Sequence, residues 1–328
     1  MNNNFLEITD GFLVFFIAII LTYLVIKLAP FLSLIDKPDN KLKFHIKPTP
    51  STGGLAIVSS ITIGLILNYK FEIHNEYIAV ILFLLSIFFL GILDDKYNLS
   101  VYSRLLTQVF FSILLLYIIS PPDIFGFFFL DFIISLIFCV ACINSINLLD
   151  IMDGLAGGVC FFVLLNYLII IDNSILFYNL IITYTLISLL AFLIFNFNPA
   201  KVFMGNSGST FLGGLIAIIA IISFKKSVII QEKIYYIFPV SIIFFDLIFV
   251  IIIRLNKGLN PTRGSPDHLA LRIRKLNFSI KNTVLIIYLF CIFFIFCSVF
   301  IKYSILICIP VVIILMIIAI KMSKIEVN

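Results

Sequence analysis

The chain has 328 residues, 62% of them hydrophobic and only 12% charged. So few charges cannot cover a water-soluble body of this size, so the main solvent must be lipid and a soluble enzyme is excluded. The net charge of +5 is mostly a topological asymmetry and gives no argument for nucleic acid.

Apolar stretches of membrane-spanning length are predicted at 11–31, 53–69, 77–93, 104–120, 131–149, 154–171, 174–195, 209–224, 234–255, 282–301 and 303–321, eleven in all. The connections are too brief to hold a soluble domain. Residues 1–328 are therefore read as one all-α polytopic bundle with cytoplasmic loops at 32–52, 94–103, 150–153, 196–208 and 256–281. An odd number of spans puts the termini on opposite sides. The loops on the C-terminal side carry 16 of the 22 basic residues, the other side 5, and Lys27 lies within the first span. The positive-inside rule then places the N-terminus outside and the C-terminus in the cytoplasm. The first apolar run is long enough to be a permanent anchor. All six cysteines fall inside predicted spans. Cys139 and Cys142 spell C-x-x-C, but within an apolar helix, where small packing residues are expected rather than a redox or zinc site.

In chain order, the first loop runs from Asp36-Lys37-Pro38 through His45 to Pro48-Thr49-Pro50-Ser51-Thr52-Gly53-Gly54. Its prolines and lysines read as a turn with topogenic charge, while His45 divides evenly between loop and site. Paired glycines at a helix start allow another helix or a ligand to come close. The second loop carries Asp94-Asp95 and leads to Arg104. Carboxylates delivered by an apolar run mark an ion, proton or substrate site. Adjacent acids on a helix diverge, so one faces the site while the other caps or pairs. Arg104 returns a positive charge to the same cavity.

The third segment, 144–158, holds Asn144, Asn147, Asp150 and Asp153 with Gly154, Gly157 and Gly158. Asn144, Asn147 and Asp150 follow at i, i+3 and i+6, one stripe of a helix. Their oxygens suit a hard cation such as Mg²⁺. The fourth loop ends in Gly205-Asn206-Ser207-Gly208-Ser209 at a helix entry. That pattern offers backbone N–H groups to an anion, with an N-cap by Ser207 or Ser209 as the plainer option. In span nine, Asp246 reads as a buried acid satisfied by a neighbouring helix. The last loop, 264–275, is strongly basic and includes His268 and Arg272. It either clamps a pyrophosphate or obeys the positive-inside rule.

Taken together, these motifs resemble the polyprenyl-phosphate N-acetylhexosamine-1-phosphate transferases over nearly the whole chain. The resemblance rests on Pro-x-Pro-x-x-Gly-Gly at 48–54, Leu-Asp-Asp at 93–95, Asn-x-x-Asn-x-x-Asp-x-x-Asp-Gly-Leu at 144–155, Pro-Ala-Lys-x-Phe-Met-Gly at 199–205 and Asp-His at 267–268. It implies that a lipid phosphate, undecaprenyl phosphate, attacks the sugar-bearing phosphorus of a UDP-N-acetylhexosamine. UMP leaves and a lipid pyrophosphoryl sugar begins a cell-surface glycan. It further implies Mg²⁺, or Mn²⁺ in its place, at the inner membrane's cytoplasmic face, and is compatible with a homodimer.

Carried over residue by residue, Asn147 and Asn206 are implied as metal ligands, and Asp153 as the contact to uracil. Asp94, Asp95 and Arg104 are implied on the lipid-phosphate side, and His268 with Arg272 on the pyrophosphate side. Asp94, Asp95, Asp150 and His268 make up the catalytic set; Arg104, Asn144, Asp153, Arg272 and Lys201 make up the substrate-binding set. Three departures stand out. Asn206 occupies the place of an Asp that binds the metal in the family, Ile151 replaces a Gly, and the family's histidine-rich loop is reduced to His268, followed by Leu269, Ala270 and Leu271. The last departure argues against the phospho-MurNAc-pentapeptide transferases, kept as the alternative donor class. A secondary transporter would place its acids near mid-membrane, where only Asp246 lies. A scaffold weakened by Asn206 is the other non-enzymatic reading.

Overall fold

A computed structural model describes residues 2–36, 48–68, 74–171, 176–227, 229–259 and 267–325, with side chains from residue 9 onward. His45, Lys37, Lys41, Lys43, Lys47, Lys70, Arg263, Gly264, Ser265 and Pro266 lie outside the described residues. The helices are α1 (Asn2–Leu32), α2 (Gly53–Leu67), α3 (Asn75–Tyr97), α4 (Val101–Ile119), α5 (Phe128–Leu149), α6 (Leu155–Ile170), α7 (Leu176–Asn196), α8 (Gly205–Lys226), α9 (Ile230–Ile237), α10 (Ser241–Asn256), α11 (Leu269–Lys275), α12 (Ile280–Ile301) and α13 (Cys308–Ser323). A two-residue ladder pairs β1 (Ile35–Asp36) with β2 (Thr49–Pro50), antiparallel, Ile35 opposite Pro50. This is an all-α polytopic membrane protein.

Nine helical segments among the described residues are long and apolar enough to cross a bilayer. Two predicted spans are shorter than expected, α2 and α6. At about 1.5 Å per residue each falls short of a hydrocarbon core of about 30 Å. Both begin at glycines, Gly53 and the left-handed Gly154 (φ +79°), where chain goes to the loops described below instead of to helix. The predicted loop at 94–103 is also corrected. Helix α3 runs through Asp94 and Asp95 to Tyr97, and the turn is only Asn98 to Ser100. Asn98 takes a left-handed conformation and Ser100 caps α4 by accepting from the Ser103 N–H. So short a connection makes α3 and α4 antiparallel neighbours. The predicted 256–281 loop likewise contains α11.

The bundle is built around α8, buried over nearly its whole length between α3, α5 and α2. Lipid supplies no hydrophobic drive between helices, so close approach of small residues must hold them. A Cβ on Gly213 would sit 2.6 Å from the Ile143 Cα, and one on Gly91 2.4 Å from the Ser207 Cα. Buried hydroxyls join other helices: Ser60 Oγ donates to Ser188 Oγ at 2.8 Å between α2 and α7, and Ser298 Oγ to Asn166 Oδ1 at 2.6 Å between α12 and α6. Outer faces carry exposed Phe16, Leu82, Phe89, Leu106 and Met316, as a lipid-facing surface requires.

Candidate active site

The site forms where the C-terminal ends of α3, α5 and α7 meet the N-terminal ends of α2, α4, α6 and α8. Backbone bonds fix the meeting. Gly53 N donates to Phe203 O at 2.9 Å, Gly54 N to Met204 O at 2.8 Å, and Phe203 N to Pro50 O at 2.7 Å. The paired glycines are the reason this strap fits. A Cβ on Gly54 would lie 2.3 Å from Gly208 N, and one on Gly53 2.3 Å from the Phe192 ring. The predicted close approach is therefore helix to helix.

Asp94 and Asp95 divide their work. Asp94 is buried, with Oδ2 accepting from Arg104 Nη1 at 2.8 Å and Oδ1 from Leu99 N at 2.9 Å. Arg104 is partly exposed, and its other N–H donors have no partner among the described residues. Asp95 turns the other way: Oδ1 accepts from Asn206 N at 2.8 Å and Oδ2 from Ser207 N at 3.1 Å. The N-terminus of α8 is thus occupied by the protein's own carboxylate. That overturns both expectations for 205–209, an external anion and a Ser207 or Ser209 cap. A third glycine matters here, because a Cβ on Gly205 (φ +75°) would sit 2.8 Å from Asp95 Oδ2.

Along α5 the predicted stripe separates. Asn144 Nδ2 donates to Gln108 Oε1 at 2.7 Å, tying α5 to α4 and not to the carboxylates. Asn147 Nδ2 donates to Asn206 Oδ1 at 2.7 Å and Ser209 Oγ at 3.1 Å, which leaves Asn147 Oδ1 open. Asp150 follows the last residue of α5. It is half-buried, accepts no hydrogen bond among the described residues, and feels the charges of Asp95, Asp153 and Asp36. Burial first, then those three acids, push its carboxyl from 3.8 up to about 7.

Asp153 Oδ2 accepts from Asn198 Nδ2 at 2.8 Å and Ala200 N at 3.0 Å. Behind it, Gly154 N donates to Asn196 Oδ1 at 3.0 Å, and Tyr288 OH donates to Gly154 O at 2.6 Å. Lys201 is exposed beside Ala200. The remaining two predicted residues lie at the start of α11 and within it. His268 Nδ1 lies 2.8 Å from Asp246 Oδ2, and both residues are buried. Arg272, 1% exposed, donates through Nη2 to Asp267 Oδ1 at 2.9 Å, through Nε to Asp267 O at 3.1 Å, and through Nη1 to the carbonyls of Met322, Ser323 and Ile325. The structure gives it a structural anchorage where a pyrophosphate clamp was expected.

Whether these residues fit a divalent cation can be judged from Asp150. A half-buried carboxylate among three others, with no donor of its own, fits a hard cation held by oxygens. Asn147 Oδ1 is a second suitable oxygen. Asn206 is less so, since Asn147 already donates to its carbonyl oxygen. Among the described residues no three His, Cys, Asp or Glu form a metal group by themselves, so amide oxygens would have to contribute. Sequence reading missed Gln108, Asn198 and Tyr288. Gln108 alone had a signal, four residues after Arg104 on the same helix face.

Residues 77–224 match the model of glycosyl transferase family 4. The chain is 29% identical over 302 residues to a Bacillus subtilis protein named a probable undecaprenyl-phosphate N-acetylglucosaminyl 1-phosphate transferase, covering 88% of this chain and 83% of that one. It is 30% identical to the undecaprenyl-phosphate alpha-N-acetylglucosaminyl 1-phosphate transferase of Thermotoga maritima, over 71% of this chain and 69% of that one. It is 32% identical to a phospho-N-acetylmuramoyl-pentapeptide-transferase of Clostridium botulinum, over 63% and 70% of the two chains.

Proposed function

Because the chain belongs to glycosyl transferase family 4, we propose that it transfers an N-acetylhexosamine 1-phosphate, GlcNAc 1-phosphate foremost, from a UDP-sugar to undecaprenyl phosphate. A non-bridging oxygen of the lipid phosphate forms a bond to the sugar-bearing phosphorus, the bond from that phosphorus to the UMP oxygen breaks, and UMP leaves. The observation that carries this reading is Asp150, a carboxylate without a donor among three others where seven helix ends meet.

A phosphate monoester has its second pKa near 6, so the lipid phosphate is largely a dianion already and needs no obligatory base. The structure supports that view, since both Asp94 and Asp95 already accept N–H donors. Asp94 orients Arg104, whose remaining N–H groups are free for the lipid phosphate. Asp95 holds the start of α8, and with it Asn206, against α5. Asp150 and Asn147 would hold Mg²⁺ or Mn²⁺, which when bound supplies positive charge between two repelling phosphates. Asp153, fixed by Asn198 and Ala200, presents its other oxygen to the uracil. Lys201 lies beside it as an exposed cation for the donor phosphates.

The bundle is one domain of eleven spans in the inner membrane, N-terminus outside, with this site at the cytoplasmic face where UDP-sugars are made. Label from radioactive UDP-GlcNAc should enter an organic-extractable lipid in the presence of Mg²⁺ and stop with EDTA. Transfer at full rate in chelated buffer, or label accumulating in vesicles without entering lipid, would overturn the proposal. Including UDP-MurNAc-pentapeptide in the donor panel tests the alternative donor class, against which Ala270 and Leu271 argue.

A further inference from the structure

Asp246 lies in α10, ten residues before its end at Asn256, about 15 Å along the helix axis. An acid at that depth is costly unless it is paired. Its surroundings include Leu149, Val159, Phe245, Phe290 and Phe294, the walls of a small apolar cavity of about 30 Å³. The pairing comes from the residues at the start of α11. Asp246 Oδ2 faces His268 Nδ1 at 2.8 Å, and Asp246 Oδ1 accepts from Leu269 N at 2.9 Å. One carboxylate therefore holds two consecutive residues, one by its side chain and one by its backbone.

An ionised carboxylate only accepts, so the nitrogen that faces it must carry the proton. We propose that Asp246 is a positioning residue: it fixes the His268 imidazole with Nδ1 protonated toward its own carboxylate and balances the charge of a ring whose Nε2–H donates to the donor's phosphates. This rests on the transfer reaction proposed above. His268 is 2% exposed, and its Nε2 has no hydrogen-bond partner among the described residues, so the ring is anchored at one end only. The backbone behind it is anchored as well, by Arg272 to Asp267 and to the carbonyls at the end of α13. Ring and loop are thus held from two helices, α10 and α13, and neither anchor uses Nε2. A carboxylate that orients a histidine from behind is a general device for setting which nitrogen faces the ligand.

A purely structural role would make Asp246 a staple for the Leu269 N–H alone. Asp246→Asn separates the two roles, because the amide oxygen still accepts from Leu269 while the charge that fixes the imidazole is lost. The chain has three histidines, so protein labelled with ¹⁵N only in histidine gives few ring signals, and His268 is assigned from H268Q. In the wild type, His268 Nδ1 should give the signal of a protonated nitrogen, and D246N should shift the ring toward the Nε2–H tautomer. D246N should lower transfer about 10- to 100-fold, and should cost nothing further in an H268Q background. Additive losses in the double variant, or an unprotonated Nδ1 in the wild type, overturn the proposal. The wild-type spectrum decides even where D246N fails to fold. A wild type that labels no lipid refutes the transfer reading instead, and the ring signals then judge the Asp246–His268 pairing by themselves.

Discussion

Asp95 closes the N-terminus of α8: its two oxygens take the Asn206 and Ser207 N–H groups at 2.8 and 3.1 Å. The first N–H groups of a helix have no partner within it, and the macrodipole there favours a negative charge. Asp95→Ala should therefore destabilise the protein by about 1–2 kcal/mol, with Asp95→Asn keeping part of that through one amide oxygen. Asp94→Asn instead loosens an ion pair whose arginine is partly exposed, so its stability effect should be smaller and its main effect a higher KM for the lipid phosphate. Thermal denaturation in detergent together with acceptor titration separates the two. Equal stability losses with unchanged KM would contradict this division.

Asp150 should make the proposed divalent-ion binding pH-dependent. Its carboxyl is raised from 3.8 to about 7, so without metal the folded protein holds a proton that the unfolded chain has lost. The sign follows from linkage. This group's contribution to stability is intact below about pH 4 and is lost as pH rises through about 7. A bound cation favours the carboxylate and expels the proton, so Mg²⁺ affinity should rise from pH 6 to pH 8 with release of up to about one proton. Calorimetry in buffers of different ionisation heat measures that release. Asp150→Asn should abolish it and raise metal-free stability at pH 8; equal Mg²⁺ affinity at both pH values would refute the assignment.

Asn206 offers its carbonyl oxygen to Asn147, which leaves its NH₂, a donor, as the other end of the amide. Asn206→Asp keeps the acceptor for Asn147 and replaces that donor with a second carboxylate oxygen. Divalent affinity should tighten by about 10-fold, the equivalent of 1.4 kcal/mol, while the metal-free protein should become less stable because a further acid joins Asp95, Asp150 and Asp153. Titration of Mn²⁺ by its paramagnetic signal, beside thermal denaturation without metal, reads both changes. Looser binding would show that residue 206 does not face the ion.

How much of this was legible in the sequence follows the range of the interactions. The helical bundle was readable because hydropathy over some twenty residues is a local property. Asp94 and Asp95 stand out in the sequence for the same reason, since an apolar run delivers them. Which acid pairs and which one caps was not readable, because that depends on where α4 and α8 pack around the end of α3. Asn144, Asn147 and Asp150 share a stripe by periodicity, yet Asn144 is drawn to Gln108 on another helix. Asp246 could be read as a buried acid, but its partner is 22 residues further along the chain. Arg272 looked like a phosphate ligand because its charge was visible and the carbonyls of Met322 and Ser323 that absorb it were not.

Gly54 tests the strap between the first loop and the start of α8. A Cβ there would meet Gly208 N at 2.3 Å and Ser207 Oγ at 2.6 Å. Backbone is the obstacle, so no rotamer change relieves it. Gly54→Ala should cost about 1–3 kcal/mol and lower transfer through displacement of Asn206. Gly126→Ala is the control: nothing lies within 4 Å, and only its φ of +78° resists a side chain, at roughly 1–2 kcal/mol. Its effect should fall on stability with transfer intact in the folded fraction. Transfer unaffected by Gly54→Ala would mean that the strap does not position the site.

Arg272 joins the last loop to the end of the last helix. Its guanidinium, 1% exposed, bonds Asp267 and three carbonyls beyond Ile320. Removing one member of a buried pair leaves the other charge stranded, at about 3–5 kcal/mol. Lys257, also bonded to Asp267 at 2.8 Å but more exposed, should recover part of that for Arg272→Ala. Arg272→Lys should not restore the wild type, because one ammonium cannot bond Asp267 and the carbonyls in the same planar fork. Ending the chain at Lys321 removes those carbonyls and should destabilise the loop in the same way. Combined with Arg272→Ala, the truncation should then cost less than the sum of the two. Full additivity in thermal denaturation would show that the arginine and the terminal carbonyls act separately, and that the loop carrying His268 is held without α13.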